Sequence, residues 1–468
     1  MLVNMFYQLL TSTEFTFMDI SISKKDVFWS YVAQALNYGS SVLLLPIILK
    51  TLPEHQIGIW YIFSSITSLV LLLDFGFLPN ITRIVSYVYS GAQKLKKEGL
   101  DDITTSNEIN YDLLKTIIHV IKKIYMLITG LLVFLLIFGG YWYLRNIISP
   151  EEHTLWIAFY IFCIAISMNF FYSYYDALLL GRGKVKNANQ AISYAKLLNL
   201  ILAATGLFLG YGLLSISIAL LLSNIVCRFL YHRAFYDFDT VTKLDRANVE
   251  NPKDVFNSIW FNSKKLGLVS VGTFLIFQAN MLIAGQFFSL SEVASYGLVV
   301  QLFSLLAIFS RLYFTSHLPR FNSLWMGNNV SKLKGEFIKS MKIGWALYAL
   351  GSLVIIFAGR YILQIIGSNT NLPNLSMILM FGFIYLMEIT HGNSGIFLTT
   401  KNTVPYVLPT IVSGVAIFCA NLILIFYFHL RLEAFGISTI FIQLSYNAWK
   451  WPLEVIKELK IKFKDLYA

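Results

Sequence analysis

Apolar runs long enough to cross a hydrocarbon core recur from one end of the chain to the other, and no other feature restricts its folding so severely. A core about 30 Å thick needs roughly twenty apolar residues per helix. Such runs, bounded by polar residues or Gly/Pro punctuation, lie at about 27–49, 57–78, 117–144, 155–180, 190–211, 213–231, 266–288, 294–318, 342–366, 375–399, 405–428 and 435–455. Charged residues make up 13% of the chain and hydrophobic ones 57%, whereas an ordinary soluble domain carries about 25% charged. A water-soluble fold is thereby excluded. The runs are also too long and continuous for the alternating strands of roughly ten residues in an outer-membrane barrel. The expected fold is an all-α polytopic membrane protein of about twelve transmembrane helices.

The net charge of +11 could suggest nucleic acid, but cytoplasmic loops of membrane proteins accumulate Lys and Arg. With both termini cytoplasmic, the outer loops and their flanks hold only Lys50, Arg145, Arg360 and Arg431 of the 36 basic residues, so the charge reports orientation and no nucleic-acid partner is expected. The inner segments 79–116, 232–265 and 319–341 are long and charged, while outer turns such as "TLPEHQIG" and "SLSEVAS" are short. The first 26 residues lack the basic start, apolar stretch and cleavage site of a signal peptide, so the first span is expected to be retained. Cys163, Cys227 and Cys419 show no paired spacing, and neither a disulfide nor a metal site is expected. "ITRIVSYVYSG" (81–91) has helical amphipathic spacing and continues from the membrane or lies on its surface; "GAQKLKKEGLDDITTSNEIN" reads as a solvated loop.

The two halves of the chain echo one another. "LPNITR" with "SGAQKL" after the second span has a counterpart in "LPRFN" with "NNVSKL" after the eighth, Pro79 and Pro319 lying 240 residues apart. "NLIL" occurs in the fifth span (Asn199–Leu202) and again in the eleventh (Asn421–Leu424). The pattern predicts a six-helix bundle over 1–240, a cytoplasmic linker over 241–265 and a second pseudo-symmetric bundle over 266–468. Transporters built from parallel repeats hold substrate between the halves.

"NYGSSVLLLPIILKTLPEHQIGIWYIFSSITSLVLLLDFGF" resembles the opening helices of Wzx-type O-antigen and polysaccharide flippases, within the multidrug/oligosaccharidyl-lipid/polysaccharide (MOP) exporter superfamily. The similarity continues in "FQANMLIAGQFFSLSEVASYGLVVQLFS", in "LPRFNSLWMGNNVSKLKGEF" and in the pair "LLLGRGKVKNANQ" and "FLTTKNTVPYVLP", loose motifs that together cover nearly the whole chain. The resemblance implies a bacterial inner-membrane protein of lipopolysaccharide or polysaccharide export, without enzymatic activity or cofactor. It would have two helix bundles around a central cavity and would move an undecaprenyl-diphosphate-linked oligosaccharide outward by alternating access. Its partners would be that glycolipid, membrane lipids and other polysaccharide-assembly membrane proteins, with proton and sodium both open as the coupling ion. One departure is Asn280 in "FQANMLIAG": many members of that family carry an acidic residue in the seventh helix, and an amide cannot titrate.

Ionisable residues within spans are costly and therefore mark partners or pathways. Glu388 and His391 share one face of the tenth span, either as a proton-accepting pair that biases opening or as a packing hydrogen bond. Arg311 in the eighth span offers a guanidinium fork suited to the diphosphate, its competing role being a snorkelling cation. Lys196 and Arg228 are further candidates for the headgroup. Asp176, at the inner end of the fourth span, is a further ion-coupling or gating candidate; the "GRGK" that follows, with Arg182, Lys184 and then Lys186, lacks the spacing of a nucleotide-binding loop and reads as a basic inner loop that also attracts anionic headgroups. Asp74, in "LLLDFGFLPN", lies near the inner end of the second span, where it pairs with a basic neighbour, satisfies backbone donors at a helix break, or acts as an inner gate. The tyrosine clusters "YSYY" (172–175) and "YWYL" (141–144) fit interfacial belts or sugar stacking. A drug or organic-cation antiporter of the same superfamily is the alternative function. A membrane glycosyltransferase or polymerase is disfavoured by the short outer turns.

Overall fold

The computed structural model describes residues 24–95, 108–326, 329–401, 404–462 and 465. The reading of the N-terminal segment before Lys24 and most of that of the loop after the second span fall outside these residues. Helices dominate the rest: α1 (Lys24–Thr51), α2 (Glu54–Leu72), α3 (Phe77–Tyr89), α4 (Tyr111–Phe134), α5 (His153–Phe171), α6 (Tyr174–Gly181), α7 (Val185–Phe208), α8 (Gly212–Phe235), α9 (Phe238–Arg246), α10 (Pro252–Phe277), α11 (Ala279–Phe287), α12 (Leu290–Ser316), α13 (Leu318–Met326), α14 (Val330–Ile366), α15 (Leu375–Leu398), α16 (Val407–Phe426), α17 (Glu433–Ser445) and α18 (Asn447–Glu458). After α4 the helix continues through a π-helical turn, Leu135–Gly140, into Tyr141–Leu144.

Polar punctuation starts several of these elements. Asn110 caps α4 by accepting from Leu113 N (2.9 Å), and Asn374 caps α15 by accepting from Met377 N (3.0 Å). Ser289 and Glu292 form a capping box at α12. Each such cap supplies an acceptor for an otherwise orphaned donor, stabilising the helix start by about 1 kcal/mol.

Among the described residues, eleven helical stretches are long and apolar enough to cross a membrane, and they coincide with the first eleven expected spans. The chain is thus a multi-pass membrane protein. The twelfth, 435–455, departs from expectation: it breaks at Tyr446 (φ −146°, ψ −65°) into α17 and α18. The break coincides with Asn447, whose amide donates to Ser413 Oγ and Gln443 Oε1 (both 2.8 Å) while its oxygen accepts from Trp451 Nε1 (3.1 Å). Buried side chains with fixed partners hold the kink there.

In the first half α7 packs between α1 and α8, α8 against α5, and α5 against α4; in the second, α10 packs on α16, α12 on α14 and α15, and α15 on α17 and α18. The halves meet where α2 runs along α12 and α11. Tyr61 OH donates to Gln301 Oε1 (2.7 Å) across this seam, and the two residues are 240 positions apart, the same offset that separates Pro79 from Pro319. Two positions separated by the repeat offset thus meet across the seam. Gly297 permits the close approach: a Cβ there would stand 2.3 Å from the Tyr61 ring, and small residues of this kind let membrane helices pack backbone to side chain. The "NLIL" echo is structural too. Asn199 donates to Ser223 Oγ (3.4 Å), and Asn421 Oδ1 accepts from Ser438 Oγ (2.5 Å), so each asparagine bonds to a serine of the following helix.

Segment 241–265, expected as a linker, is largely helical and docked. It comprises the end of α9 and the first half of α10, with Val255 and Ile259 buried. Asn80 of α3 donates to Ile259 O (2.6 Å) and Ser263 Oγ (3.2 Å), and Lys115 of α4 donates to Ala247 O (2.9 Å). The amphipathic α3 supplies the face this segment packs on, which a reading of charge alone could not foresee.

Because consecutive spans run in opposite directions, the turns at 52–53, 145–152, 209–211, 288–289, 367–374 and 427–432 share one end of the molecule, here called the short-turn end. Helices α3, α9 and α13 lie at the other, the long-loop end.

Candidate functional site

A cavity of ≈ 160 Å³ lies within the second half, walled by α10, α12, α15, α16, α17 and α18. Arg311, Glu388 and His391 line it together with Phe277, Tyr406 and Trp451. Of the three cations expected around a headgroup, Arg311 alone reaches this cavity.

The cluster is assembled from two helices. Glu388 and His391 lie one turn apart on α15, so both side chains leave the same face, and Arg311 reaches them from α12. Its Nη2 donates to Glu388 Oε1 (3.0 Å) and to the Glu388 carbonyl oxygen. Gly392 makes room for this approach, since a Cβ there would stand 2.6 Å from Arg311 Nη2. His391 sets Nε2 3.1 Å from Glu388 Oε2 and Nδ1 2.7 Å from Met387 O. A carbonyl oxygen only accepts, so Nδ1 carries a proton. Nε2 then faces a carboxylate oxygen, and that contact requires one further proton, on the imidazole or on the carboxyl. The Glu388–His391 pair is therefore built around one exchangeable proton. Arg311 meanwhile keeps donors in reserve: Nε is buried without a hydrogen-bond partner, and among the described residues Nη1 bonds to none.

Arg228 and Asp176 come together elsewhere. Arg228 Nη1 lies 2.7 Å from Asp176 Oδ1, and its Nε and Nη2 donate to Asn169 Oδ1 (3.0 and 2.8 Å), all inside the first half. This guanidinium is occupied by protein. Removing one partner strands a buried charge, at a cost of about 3 kcal/mol. Arg228→Ala is accordingly expected to lower the melting temperature of the purified protein in detergent, and the apolar pair Asp176→Leu/Arg228→Met to restore most of it. Equal losses for the single and paired replacements would count against a charge-pairing role.

Lys196, on α7, also lies in the first half and makes no hydrogen bond or ion pair among the described residues. Asp74 sits at the break between α2 and α3, where Phe75 (φ 48°) and Gly76 (φ 72°) turn left-handed. Its Oδ2 accepts from Leu78 N (3.1 Å) and its Oδ1 from Tyr125 OH (2.5 Å). Of the roles open to it, satisfying the backbone at the break is the one seen; no cation pairs with it among the described residues. Asn280 joins Asn421, whose Nδ2 donates to Asn280 Oδ1 (2.7 Å), in a buried neutral chain.

The "GRGK" segment caps helix ends. Arg182 donates to Phe235 O (2.8 Å) and Lys184 to Ala234 O (2.7 Å), two orphan carbonyls at the end of α8, and both cations reach Asp237 Oδ2 (2.9 Å). Partial burial of Asp237 would raise its pKa, but hydrogen bonds from Lys184 and Thr240 and the charge of Arg182 hold it well below the usual carboxylate range. Tyr125 and Asn169, which complete the Asp74 and Arg228 sites, carry no charge and stand in ordinary apolar runs, so no sequence signal marks them.

No family model matches the chain, and no curated protein does. Solved structures do. A multidrug-resistance MATE transporter of the MOP superfamily in an inward-facing conformation superposes with a TM-score of 0.66 at 14% identity, covering 93% of this chain and 99% of that one. An outward-facing structure of a MATE transporter of that superfamily gives 0.54 at 14% identity, covering 96% and 99%. The MATE multidrug transporter DinF-BH gives 0.58 at 13% identity, covering 97% and 100%. The chain has the two-bundle fold of the MATE transporters of the MOP superfamily.

Proposed function

We propose that this protein is an ion-coupled flippase: with both termini in the cytoplasm, it moves the diphosphate-bearing head of a lipid-linked oligosaccharide from the inner to the outer leaflet of a bacterial cytoplasmic membrane. The supporting observation is Arg311, a lining residue of the cavity beside a carboxylate–imidazole pair, whose Nη1 bonds to none of the described residues. A guanidinium stays charged when desolvated and matches phosphate oxygens in pairs. The volume of ≈ 160 Å³ suits a phosphate-sized group, while the prenyl tail stays in lipid. Settling of the shared proton on the Glu388 carboxyl, in place of the imidazole, weakens that group's hold on Arg311 and frees the guanidinium for the anion. Without such a lined route, an anionic sugar-bearing head meets hydrocarbon at prohibitive cost.

A second reading, antiport of organic cations, draws on Phe277, Tyr406 and Trp451, which line the same cavity as Glu388, a combination of ring faces and negative charge that attracts cations. Proteoliposomes carrying a short-chain prenyl-diphosphate oligosaccharide, with a lipophilic dye cation assayed in parallel, separate the two. Protein-dependent transfer of the glycolipid under an imposed proton gradient is expected. Dye efflux with no glycolipid transfer would replace the first reading with the second.

A further inference from the structure

The last turn of α1 contains a built-in deficit. In a continuing helix, the carbonyl of Leu49 would accept from the N–H four residues on, but that residue is Pro53, which has none. The missing donor comes from the other half of the molecule. Asn369 N donates to Leu49 O (2.7 Å), and Asn369 Nδ2 donates to Lys50 O (3.0 Å) and Leu52 O (2.8 Å). One residue thus caps the end of the first span from 317 positions away.

Asn369 is presented by local structure that fits this task. Gly367 ends α14 in the left-handed region (φ 72°), a conformation glycine adopts without strain. Ser368 N then donates to Leu363 O (2.9 Å), and Ser368 Oγ bonds to both the N–H and the C=O of Thr370 (3.1 and 2.8 Å). The turn is braced on both sides of Asn369.

A matching contact lies at the same end. Tyr143 OH, at the close of the third span, donates to Leu282 O (2.6 Å), and Gln286 Nε2 donates to Tyr143 O (2.8 Å), tying that span to the end of the seventh. Third to seventh and ninth to first are the same pairing under the exchange of halves. The two contacts are therefore counterparts, both at the short-turn end, both made of neutral hydrogen bonds to backbone carbonyls. Bonds of that kind are individually modest, strong enough together to hold one state and weak enough to release.

We infer that Asn369 and Tyr143 form paired clasps that close the short-turn end, and that both must open together for the site to reach that side. The inference rests on the transporter reading for its purpose, not for its test. The full-length protein in lipid nanodiscs, without substrate, is followed by hydrogen–deuterium exchange in peptides spanning residues 46–56, 139–147 and 280–290. Asn369→Ala removes two of the three bonds of its clasp and is expected to raise the exchange rate about tenfold in 46–56 and, by separating the halves, several-fold in 139–147 and 280–290. Acceleration confined to 46–56 would overturn the coupling. Tyr143→Phe reads the same coupling from the opposite clasp and is expected to accelerate 46–56; it decides the matter should the alanine variant fail to fold, and an unchanged 46–56 peptide would end the proposal. A protein that transports nothing could still show coupled clasps, and one that transports could lack them, so the two failures are distinguishable.

Discussion

Replacing Arg311 by alanine is expected to lower glycolipid transfer about a hundredfold, because charge-assisted hydrogen bonds to an anion contribute roughly 2–3 kcal/mol once water is excluded. The substitution also withdraws the Glu388 partner, so a loss of stability must be separated from a loss of binding. Arg311→Lys does this. An ammonium keeps the charge beside Glu388 Oε1, now 3.0 Å from Nη2, and should restore the melting temperature, but it lacks the planar fork and should recover only part of the transfer. Full export by Arg311→Ala would remove this residue from the headgroup site. Full recovery of transfer by Arg311→Lys would reduce its role to charge alone.

The second large effect is expected from Glu388→Gln. The amide is nearly isosteric with a protonated carboxyl: its oxygen still accepts from Arg311, and its NH₂ can donate to His391 Nε2, which then needs no proton of its own. The variant imitates the proton-loaded pair and cannot unload it. Gradient-driven transfer should fall at least about tenfold, and its dependence on pH across about 5–8, where histidine ordinarily titrates, should flatten. Passive exchange of glycolipid between leaflets should survive. Gradient-driven transfer with an unaltered pH profile would exclude Glu388 from coupling and move the proton to another group.

Some of this was legible in residue order. Glu388 and His391 stand three apart in a helical run, and helical geometry alone places them on one face. Tyr61 and Gln301, which bond across the seam, share the 240-residue offset of Pro79 and Pro319, but nothing in residue order singled out that pair. Arg228 and Arg311 look alike in sequence: each is a lone arginine within a span. Their difference rests on neighbours 52 and 77 residues distant, and nothing local distinguishes a guanidinium saturated by Asp176 and Asn169 from one left with free donors. Asp74 shows the same limit. The Gly76–Pro79 break behind it was readable, but its partnership with Tyr125 came only with the packing of α4.

Span length and class follow from residue order because the thickness of hydrocarbon imposes its requirement on each stretch separately: twenty apolar residues form a spanning helix whatever surrounds them. Which helices touch is another kind of fact. Inside a membrane it is settled by close packing and by where unpaired polar groups find partners, both properties of surfaces brought together from remote parts of the chain. Pro53 carries that division in one residue: its missing N–H can be read from its identity, whereas the donor that replaces it, Asn369, is supplied by the fold.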